Sequence, residues 1–371
     1  MGELPAIDYR ARSERLTAGL GAVRPSGPAP DALLVLDLVD IRWACGFGGS
    51  NGWLVVRDGE SILGTDGRYA DRAAEETAAS GVTVVAETDP AALHRRMIEA
   101  CGAGTVALDG GAVTHRRWGT LAAELDLLDL PSPIADHRRV KDAAEIARIE
   151  AAARAADAAL GEVEELIWRA AEVPVTEADL RNELEHRMRL HGAEDRSYQT
   201  IVASGPDHAA RPHHEVSGRT LRAGDTLIID VGGLVDGYHS DMTRSYVVGD
   251  ATDEQQQWYE LVAESQRAGL AAVRDGITAG DLDRACRSVF EVAGVGEWFV
   301  HGTGHGVGLQ IHESPFARRG SDEPIAAGNV VTVEPGLYRG GFGGFRIEDL
   351  VVVTDDGGRR LTHSPVRPVK D

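Results

Sequence analysis

The chain has 371 residues, of which 43% are hydrophobic and 26% are charged. This length predicts two domains, and the composition is that of folded globular proteins, which excludes wholesale disorder. The formal net charge of −21 is not accompanied by a long basic cluster, and this disfavours nucleic acids and anionic membranes as partners.

Cysteine usage and hydropathy indicate the compartment. The three cysteines include no C-x-x-C pair, so neither a disulfide framework nor a thiolate zinc site is expected. Residues 1–16 are polar and lack the apolar core of a signal peptide, and no stretch is long enough to span a bilayer. We therefore expect a cytoplasmic protein without membrane contacts.

Short apolar runs alternate with amphipathic stretches in the first third of the chain. This pattern predicts strands over Ala32–Leu36, Trp53–Val56, Val82–Ala86 and Thr105–Leu108, and helices over Tyr69–Ala79 and Ala91–Ala100. The alternation indicates an α/β domain over residues 1–138 and a second domain over residues 139–371. Asp142 and Glu145 predict a capping box that opens the second domain with a long alanine-rich helix.

The second domain contains an internal repeat. The segment Val175–Leu180 predicts a helix start, and that helix ends at Gly192. The same pattern recurs at Ile277–Leu282, with an end near Gly294, so the offset is 102 residues at both ends (278 − 176 and 294 − 192). This spacing predicts two helix-helix-strand halves related by duplication, with a site between them.

Two aspartates flank a predicted β-hairpin. If Asp236 and Gly237 form its two-residue loop, Asp241 lies opposite Gly232, and Asp230 lies two residues further along the same face. Two ionised carboxylates this close repel each other, so they need a cation, a shared proton or exposure to water. A metal site explains the pair, and the alternative is that one aspartate faces solvent.

Three histidines fall among four glycines in the segment 301–312. His301, His305 and His312 occupy a strand-like run in which glycine permits close approach of the backbone. This density favours a site over a packing role. Glu334 follows an apolar strand directly before a Pro-Gly turn, where a carboxylate without a cation would be costly in a sheet interior.

Arg346 and Glu348 share one face of a further strand-like segment, where a surface ion pair is the alternative to a site role. The candidate ligands are four carboxylates and one imidazole, enough to hold two metal ions: Asp230, Asp241, His305, Glu334 and Glu348. This oxygen-rich set favours Mn(II), Fe(II) or Co(II), with Zn(II) as a further alternative. A water bridging two such ions loses a proton near neutral pH and becomes a nucleophile, which predicts hydrolysis.

At these residues the chain resembles the pita-bread metallopeptidases of family M24, in the aminopeptidase P and Xaa-Pro dipeptidase (prolidase) branch. The motifs I-D-V-G-G, H-G-T-G-H-G-V-G, V-E-P-G-L-Y and R-I-E-D carry the resemblance. The segments 40–52 and 65–69 are similar to the creatinase-type N-terminal domain. The resemblance implies an α/β N-terminal domain followed by an α+β pita-bread domain with a pseudo-twofold duplication.

The resemblance also implies two divalent ions, with Mn(II) as the first choice. Asp230 is expected to bind one ion, His305 and Glu334 the other, and Asp241 and Glu348 both. By the same resemblance Glu334 shuttles a proton, His213 and His312 contact the substrate and stabilise the tetrahedral intermediate, and His301 supports the metal site. Arg346 completes the predicted catalytic set.

The implied substrates are proline-containing peptides with a free N-terminus, and the predicted activity is that of an Xaa-Pro aminopeptidase. An Xaa-Pro dipeptidase is the close alternative, and it needs an arginine for the substrate carboxylate, for which Arg211, Arg339 and Arg346 are candidates. A catalytically silent peptide-binding module and creatinase-type C–N hydrolysis are further alternatives. The resemblance also predicts a homodimer, with Asn51, Arg68 or Tyr69 near its interface.

Overall fold

The computed structural model describes residues 4–19 and 29–370. The chain divides into two compact units, one formed by Met1–Pro5 with Arg139–Asp371 and the other by Ala6–Arg138. Within the described ranges, no helix combines the length and the apolarity that crossing a bilayer requires.

A mixed six-stranded sheet forms the centre of the N-terminal unit, Ala6–Arg138. Its strands are β1 (Ala32–Val35), β2 (Trp53–Arg57), β3 (Glu60–Asp66), β4 (Thr83–Glu87), β5 (Thr105–Leu108) and β6 (Asp126–Asp129). Its helices are α1 (Tyr9–Gly19), α2 (Leu38–Cys45), α3 (Ala70–Glu76), α4 (Pro90–Cys101), α5 (His115–Ala122) and α6 (Pro133–Arg139). The strand order is β4-β3-β2-β1-β5-β6. The pairs β1-β2 and β2-β3 are antiparallel, whereas β3-β4, β1-β5 and β5-β6 are parallel.

The predicted elements of this unit are present, with ends shifted by up to three residues. Strand β1 is buried at every position, and Val55, Met97 and Leu108 belong to the same core cluster. The alternating pattern does not predict β3, because Ser61 and Gly64 interrupt its apolar residues. The short helices α1, α2, α5 and α6 and strand β6 are also absent from the sequence-based prediction.

The C-terminal unit has four sheets and two long helix pairs. Its helices are α7 (Ala143–Arg169), α8 (Glu177–Leu190), α9 (Gly205–His208), α10 (Asp253–Ala272) and α11 (Ala279–Val292). Its strands are β7 (Asp195–Arg196), β8 (Ile201–Ser204), β9 (Thr226–Asp230), β10 (Gly233–Val235), β11 (Tyr238–His239), β12 (Thr243–Val247), β13 (Gly304–Gly306), β14 (Glu313–Ala317), β15 (Val330–Val333), β16 (Gly336–Arg339), β17 (Gly343–Arg346), β18 (Asp349–Thr354) and β19 (Gly357–Arg360). The sheet orders are β11-β10-β7, β12-β9-β8, β14-β13-β15-β18-β19 and β16-β17.

Helix α7 opens this unit at the predicted capping box of Asp142 and Glu145. Its alanine-rich face lies directly on β10, where a Cβ added to Gly233 would come within 2.8 Å of the Ala152 carbonyl oxygen. Small residues on both elements therefore allow a helix and a strand to approach more closely than larger side chains would permit.

The predicted repeat is present in the helix pairs. Helix α8 begins after Thr176 and α11 begins after Thr278, and each threonine forms a capping box with the aspartate three residues on. Each threonine also forms an isolated antiparallel β-bridge. Gly192 and Gly294, with φ of 99° and 72°, lie just beyond the two helices. The second helices of the two halves thus begin and end alike.

The predicted hairpin also forms. Asp236 and Gly237 both have positive φ, 46° and 73°, as a type I′ turn requires, and β10 pairs with β11 directly across them. Strands β9 and β12 continue the same register, with Asp230 opposite Thr243. Asp241 therefore lies two positions from the partner of Asp230, on the same face of the ladder.

Candidate metal centre and substrate cavity

A cavity of about 460 Å³ in the C-terminal unit brings the predicted site residues together. The residues that line it include Asp230, Asp241, His305, Glu334, Glu348, His213, His301, His312 and Arg346. Every residue of the predicted site is therefore on this wall, although their individual roles stay predictions.

The five candidate ligands come from both halves of the duplication. Asp230 ends β9 and Asp241 precedes β12, both in the first half. His305 lies in β13, Glu334 follows β15, and Glu348 lies between β17 and β18, all in the second half. Neither half alone contains the whole cluster.

Close backbone packing makes room for the histidine strand. A Cβ on Gly304 would lie 2.1 Å from the Thr332 carbonyl oxygen, and a Cβ on Gly306 would lie 2.5 Å from the Ser314 carbonyl oxygen. Such distances exclude any side chain at these two positions. The glycines around His305 therefore serve the packing of β13 between β14 and β15.

The first two carboxylates share a tyrosine. The Tyr198 hydroxyl is in hydrogen-bond contact with Oδ1 of both Asp230 and Asp241, and it can donate to one of them at a time. Arg346 Nη2 donates to the other oxygen of Asp230, over 2.8 Å. These contacts hold the two aspartates in fixed orientations.

His305 presents a lone pair to two carboxylates. Its Nδ1 lies 3.0 Å from the Gly306 carbonyl oxygen, which can only accept, so we assign the ring proton to Nδ1. Nε2 then faces Asp241 Oδ2 and Glu334 Oε1, each at 3.5 Å. Burial lowers the pKa of His305 to about 4, so the ring is neutral at pH 7. Three acceptor atoms therefore converge on one point, an arrangement that a cation stabilises.

The remaining carboxylates are buried against one another. Glu348 Oε2 accepts from Thr243 Oγ1 over 2.8 Å, whereas its buried Oε1 has no hydrogen-bond donor among the described residues. Burial, followed by the neighbouring carboxylates, raises the pKa of Glu348 and of Asp241 well above the ordinary range. Burial also raises the pKa of Glu334, to about 8. A protein without a cation here thus holds protons at pH values where carboxyl groups are normally ionised.

These observations fit a pair of divalent ions. The four carboxylates of the cluster carry four negative charges when ionised, and the guanidinium of Arg346, which pairs with Asp230, offsets one of them. Two divalent cations would supply the opposing charge. The Glu348 Oε1 atom without a donor and the lone pair of His305 are free to bind such ions, because no described donor competes for them.

Arg346 connects this cluster to His301. Its guanidinium donates to the Tyr338 hydroxyl over 2.9 Å, and that hydroxyl lies 2.9 Å from His301 Nε2. His301 Nδ1 lies 2.7 Å from the Gly302 carbonyl oxygen. Both ring nitrogens of His301 are therefore engaged within the protein, which suits a supporting role rather than direct contact with a substrate. The alternative of a surface ion pair between Arg346 and Glu348 is wrong, because both are buried and Arg346 pairs with Asp230.

Two further histidines face the cavity. The ring of His312 packs edge-on against that of His305, with centroids 4.4 Å apart. His213 lies in the segment after α9 and is exposed, whereas the adjacent His214 does not line the cavity. His213 and His312 thus remain available to a bound ligand.

Of the three candidate arginines for a substrate carboxylate, Arg346 alone lines the cavity. Arg339 lies over Trp258 and pairs with Glu254, and neither it nor Arg211 lines the cavity. Arg346 is committed to its buried hydrogen bonds. Arg318, at the end of β14, lines the cavity and has no ion-pair partner among the described residues. No pattern in the sequence singles out Arg318 or Tyr198.

Replacing Tyr198 with phenylalanine tests the part of the site that sequence patterns miss. We expect metal affinity or activity to fall by about 10- to 100-fold, as for other residues that orient metal ligands through hydrogen bonds. The fold should persist, because the ring remains. Metal content and kcat/KM of Tyr198→Phe check this, with Tyr246→Phe, a buried tyrosine outside the cavity, as the control. Equal metal affinity and activity in Tyr198→Phe and the wild type would contradict it.

A buried cluster of carboxylates that can hold two cations is typical of metal-dependent hydrolases. Comparison with known proteins agrees. The model of metallopeptidase family M24 matches residues 147–355, and that of the creatinase/prolidase N-terminal domain matches residues 29–140. The chain belongs to metallopeptidase family M24. The predicted resemblance and fold class are thereby confirmed.

Individual relatives cover the chain to different extents. The uncharacterized peptidase YqhT of Bacillus subtilis is 32% identical over 90% of this chain and 94% of its own length. The Xaa-Pro dipeptidase of Pyrococcus furiosus is 39% identical over 62% of this chain, and the match spans 64% of that relative, less than two thirds of its length.

Solved structures match over nearly the whole chain. An Xaa-Pro dipeptidase from Bacillus anthracis has a TM-score of 0.89 at 30% identity, covering 97% of this chain and 99% of that one. An X-Pro aminopeptidase from Thermotoga maritima has a TM-score of 0.85 at 30% identity, and the match covers 96% of this chain and 99% of that one. Both predicted activities therefore occur among proteins of this fold.

Proposed function

We propose that this chain is a metal-dependent exopeptidase that hydrolyses the bond between an N-terminal residue and proline, and that Xaa-Pro dipeptides are its substrates. The observation that carries this proposal is the cavity in which a carboxylate cluster lies on the same wall as one uncommitted arginine, Arg318. The family and the names of the relatives agree with it.

The family implies divalent metal ions, and we propose Mn(II) as the native ion. Asp230 would hold one ion, His305 and Glu334 the other, and Asp241 and Glu348 both. When bound, such ions supply Lewis acidity and lower the pKa of water. The oxygen-rich donor set supports Mn(II), with Co(II), Fe(II) or Zn(II) as alternatives.

The protein's own groups then move the protons. Water adds to the scissile carbonyl carbon, and Glu334 takes a proton from that water and delivers it to the proline nitrogen as the C–N bond breaks. His213 and His312 line the cavity and can donate to the carbonyl oxygen as negative charge develops on it. The cluster of carboxylates attracts the free α-amino group of the substrate.

Arg318 is proposed to bind the carboxylate of the dipeptide. Replacing it with alanine should raise KM for Ala-Pro about 10- to 100-fold, because a charge-assisted hydrogen bond contributes about 1.5–3 kcal/mol. The rate for Ala-Pro-amide, which has no carboxylate, should stay unchanged. Steady-state kinetics on the two substrates measure the difference.

Arg319→Ala is the matched control, because Arg319 is also exposed but pairs with Glu291 and does not line the cavity. This variant should behave like the wild type with both substrates. An Arg318→Ala enzyme that loses activity equally toward Ala-Pro and its amide would contradict carboxylate recognition by Arg318.

The Xaa-Pro aminopeptidase is the second candidate, supported by the structural similarity to the Thermotoga maritima enzyme. Kinetics on Ala-Pro and on Ala-Pro-Ala-Ala distinguish the two. Cleavage of Ala-Pro alone supports the dipeptidase, whereas comparable cleavage of the longer peptide supports the aminopeptidase. No cleavage of either would favour a peptide-binding module or another C–N substrate.

A homodimer and a cytoplasmic location also remain proposals. Asn51 and Arg68 both contact Asp66 in the N-terminal unit and line a second cavity there, and Tyr69 contacts Ser50. The side chain of Arg68 is 70% exposed, so a partner subunit could reach it although it pairs with Asp66. Light scattering that shows a single mass near 39.5 kDa would contradict the dimer.

A further inference from the structure

Outside the substrate cavity, one carboxylate and two imidazoles form a second cluster. Glu177 is the first residue of α8, His208 ends α9, and His214 lies six residues further on. One ligand atom from each lies within 4.8 Å of the other two. None of the three lines the cavity. We refer to these three residues as the α8 cluster.

The carboxylate of the α8 cluster is held in place by two serines. Glu177 is completely buried, and it accepts hydrogen bonds from the backbone N–H and the hydroxyl of Ser204 and of Ser217. In known metal sites, hydrogen-bond donors of this kind hold the ligand in the orientation that binds the ion. The carboxylate is therefore fixed before any ion arrives.

Both imidazoles lie beside this carboxylate and can supply nitrogen ligands. His208 Nδ1 lies at hydrogen-bond distance, 2.9 Å, from Glu177 Oε1, so the two candidate ligand atoms face each other. The rings of His208 and His214 stack with centroids 3.7 Å apart and planes inclined by 29°. Burial, and then the neighbouring His208, lowers the pKa of His214, so that ring is neutral and able to coordinate at pH 7.

The two carboxylate oxygens have five hydrogen-bond contacts, and the positive charge next to them is offset by an aspartate. Arg219 approaches through Ser204, but both of its terminal nitrogens also contact Asp225, at 2.6 and 3.0 Å. Asp225 therefore offsets the one guanidinium that approaches the α8 cluster through this serine. A bound ion would replace the contact between His208 Nδ1 and Glu177 Oε1.

We propose that Glu177, His208 and His214 bind one divalent transition-metal ion, for which Zn²⁺ is the best chemical match, separate from the ions of the substrate cavity. Imidazole and carboxylate are common zinc ligands, and a coordinating water would complete four ligands. His213 lies between two of the ligands in the chain, so a bound ion would fix the segment that presents His213 to the cavity. The proposal concerns metal binding and does not rest on the peptidase activity.

The test is metal content per chain, measured by mass spectrometry after the full-length protein is equilibrated with Zn²⁺ and desalted. The wild type should retain one ion more than a His208→Gln, His214→Gln double variant. His191→Gln is the matched control, because it breaks a His-Glu pair, 2.7 Å from Glu162, on the exposed surface. This control should retain the wild-type number of ions.

Equal metal content in the wild type and the double variant would overturn the proposal. His214→Ala provides a second variant should the double variant not fold, since His214 contacts the cluster only by stacking on His208 and its loss leaves the hydrogen bonds of Glu177 intact. It too should lose one ion. Cobalt substitution adds a readout, because a tetrahedral Co²⁺ site produces visible absorption that His214→Ala should lose.

Discussion

Replacement of Glu348 by glutamine is expected to lower kcat/KM for Xaa-Pro hydrolysis by about 1000-fold or more, since Lewis-acid stabilisation contributes several kcal/mol and each 1.36 kcal/mol is tenfold in rate. Glu348 is only 1% exposed, and its Oε1 has no donor among the described residues, so it is available to an ion. An amide keeps the size but supplies a weaker ligand. Activity of metal-stripped protein, with and without added Mn(II), is the measurement.

Glu164→Gln is the matched control for Glu348→Gln. Glu164 is also buried, at 8% exposed, but it contacts Arg367 and Tyr246 and does not line the cavity. Its replacement should leave metal-dependent activity near the wild-type value. Retention of both wild-type metal content and wild-type activity in Glu348→Gln would remove this residue from the metal site.

The second large effect concerns the metal-free protein, which we expect to lose stability as pH rises from 6.5 to 8. The pKa of Glu334 is raised to about 8, against an ordinary value of 4.5, and those of Asp241 and Glu348 are also raised. A raised pKa means that the folded state holds its proton more tightly than the unfolded state. That stabilisation is complete below pH 4.5 and is lost as pH rises through the folded pKa.

Two buried histidines determine why the loss of stability is expected only above pH 6.5. Burial lowers the pKa of His301 and of His305 to about 4, from an ordinary value of 6.5. Their neutral forms stabilise the fold above pH 6.5, and this contribution is lost as pH falls, which opposes the carboxyl effect below pH 6.5. Above pH 6.5 the carboxyl effect remains. The free energy of unfolding then falls by about 1.4 kcal/mol per pH unit for each proton that the folded state holds and the unfolded state does not.

Denaturant unfolding of chelator-treated protein at pH 6.5 and pH 8 measures this loss. Protein saturated with Mn(II) should not show it, because bound cations stabilise the ionised carboxylates and add binding free energy to the folded state. Metal-free Glu348→Gln should show a smaller loss than the metal-free wild type, since one titrating group is gone. Identical pH dependence with and without metal would contradict the proposed cation site.

Local patterns predict much of this structure correctly. The Asp-Gly turn determines the hairpin register from two residues, so the placement of Asp230 and Asp241 follows from the sequence alone. The caps at Thr176 and Thr278 are similarly local, because each depends on an aspartate three residues away. Predictions that rest on neighbours in sequence are therefore confirmed.

Contacts between distant residues could not be predicted in this way. A period of two places Arg346 and Glu348 on one face, yet Glu348 lies beyond the end of β17, and Arg346 pairs with Asp230, 116 residues away. The approach of Tyr198 to the aspartates and the place of Arg318 on the cavity wall depend on how the sheets pack. No single-sequence pattern encodes these contacts.

The turn at Asp236 and Gly237 has an evolutionary consequence. Successive residues of a strand point to opposite faces, so one inserted or deleted residue between Asp230 and Asp241 would turn one carboxylate away from the other. Natural variants of this hairpin should therefore accept changes of residue type more readily than changes of length. Loops elsewhere in the C-terminal unit, which do not join two candidate ligands along a continuous ladder, are free of this constraint on length.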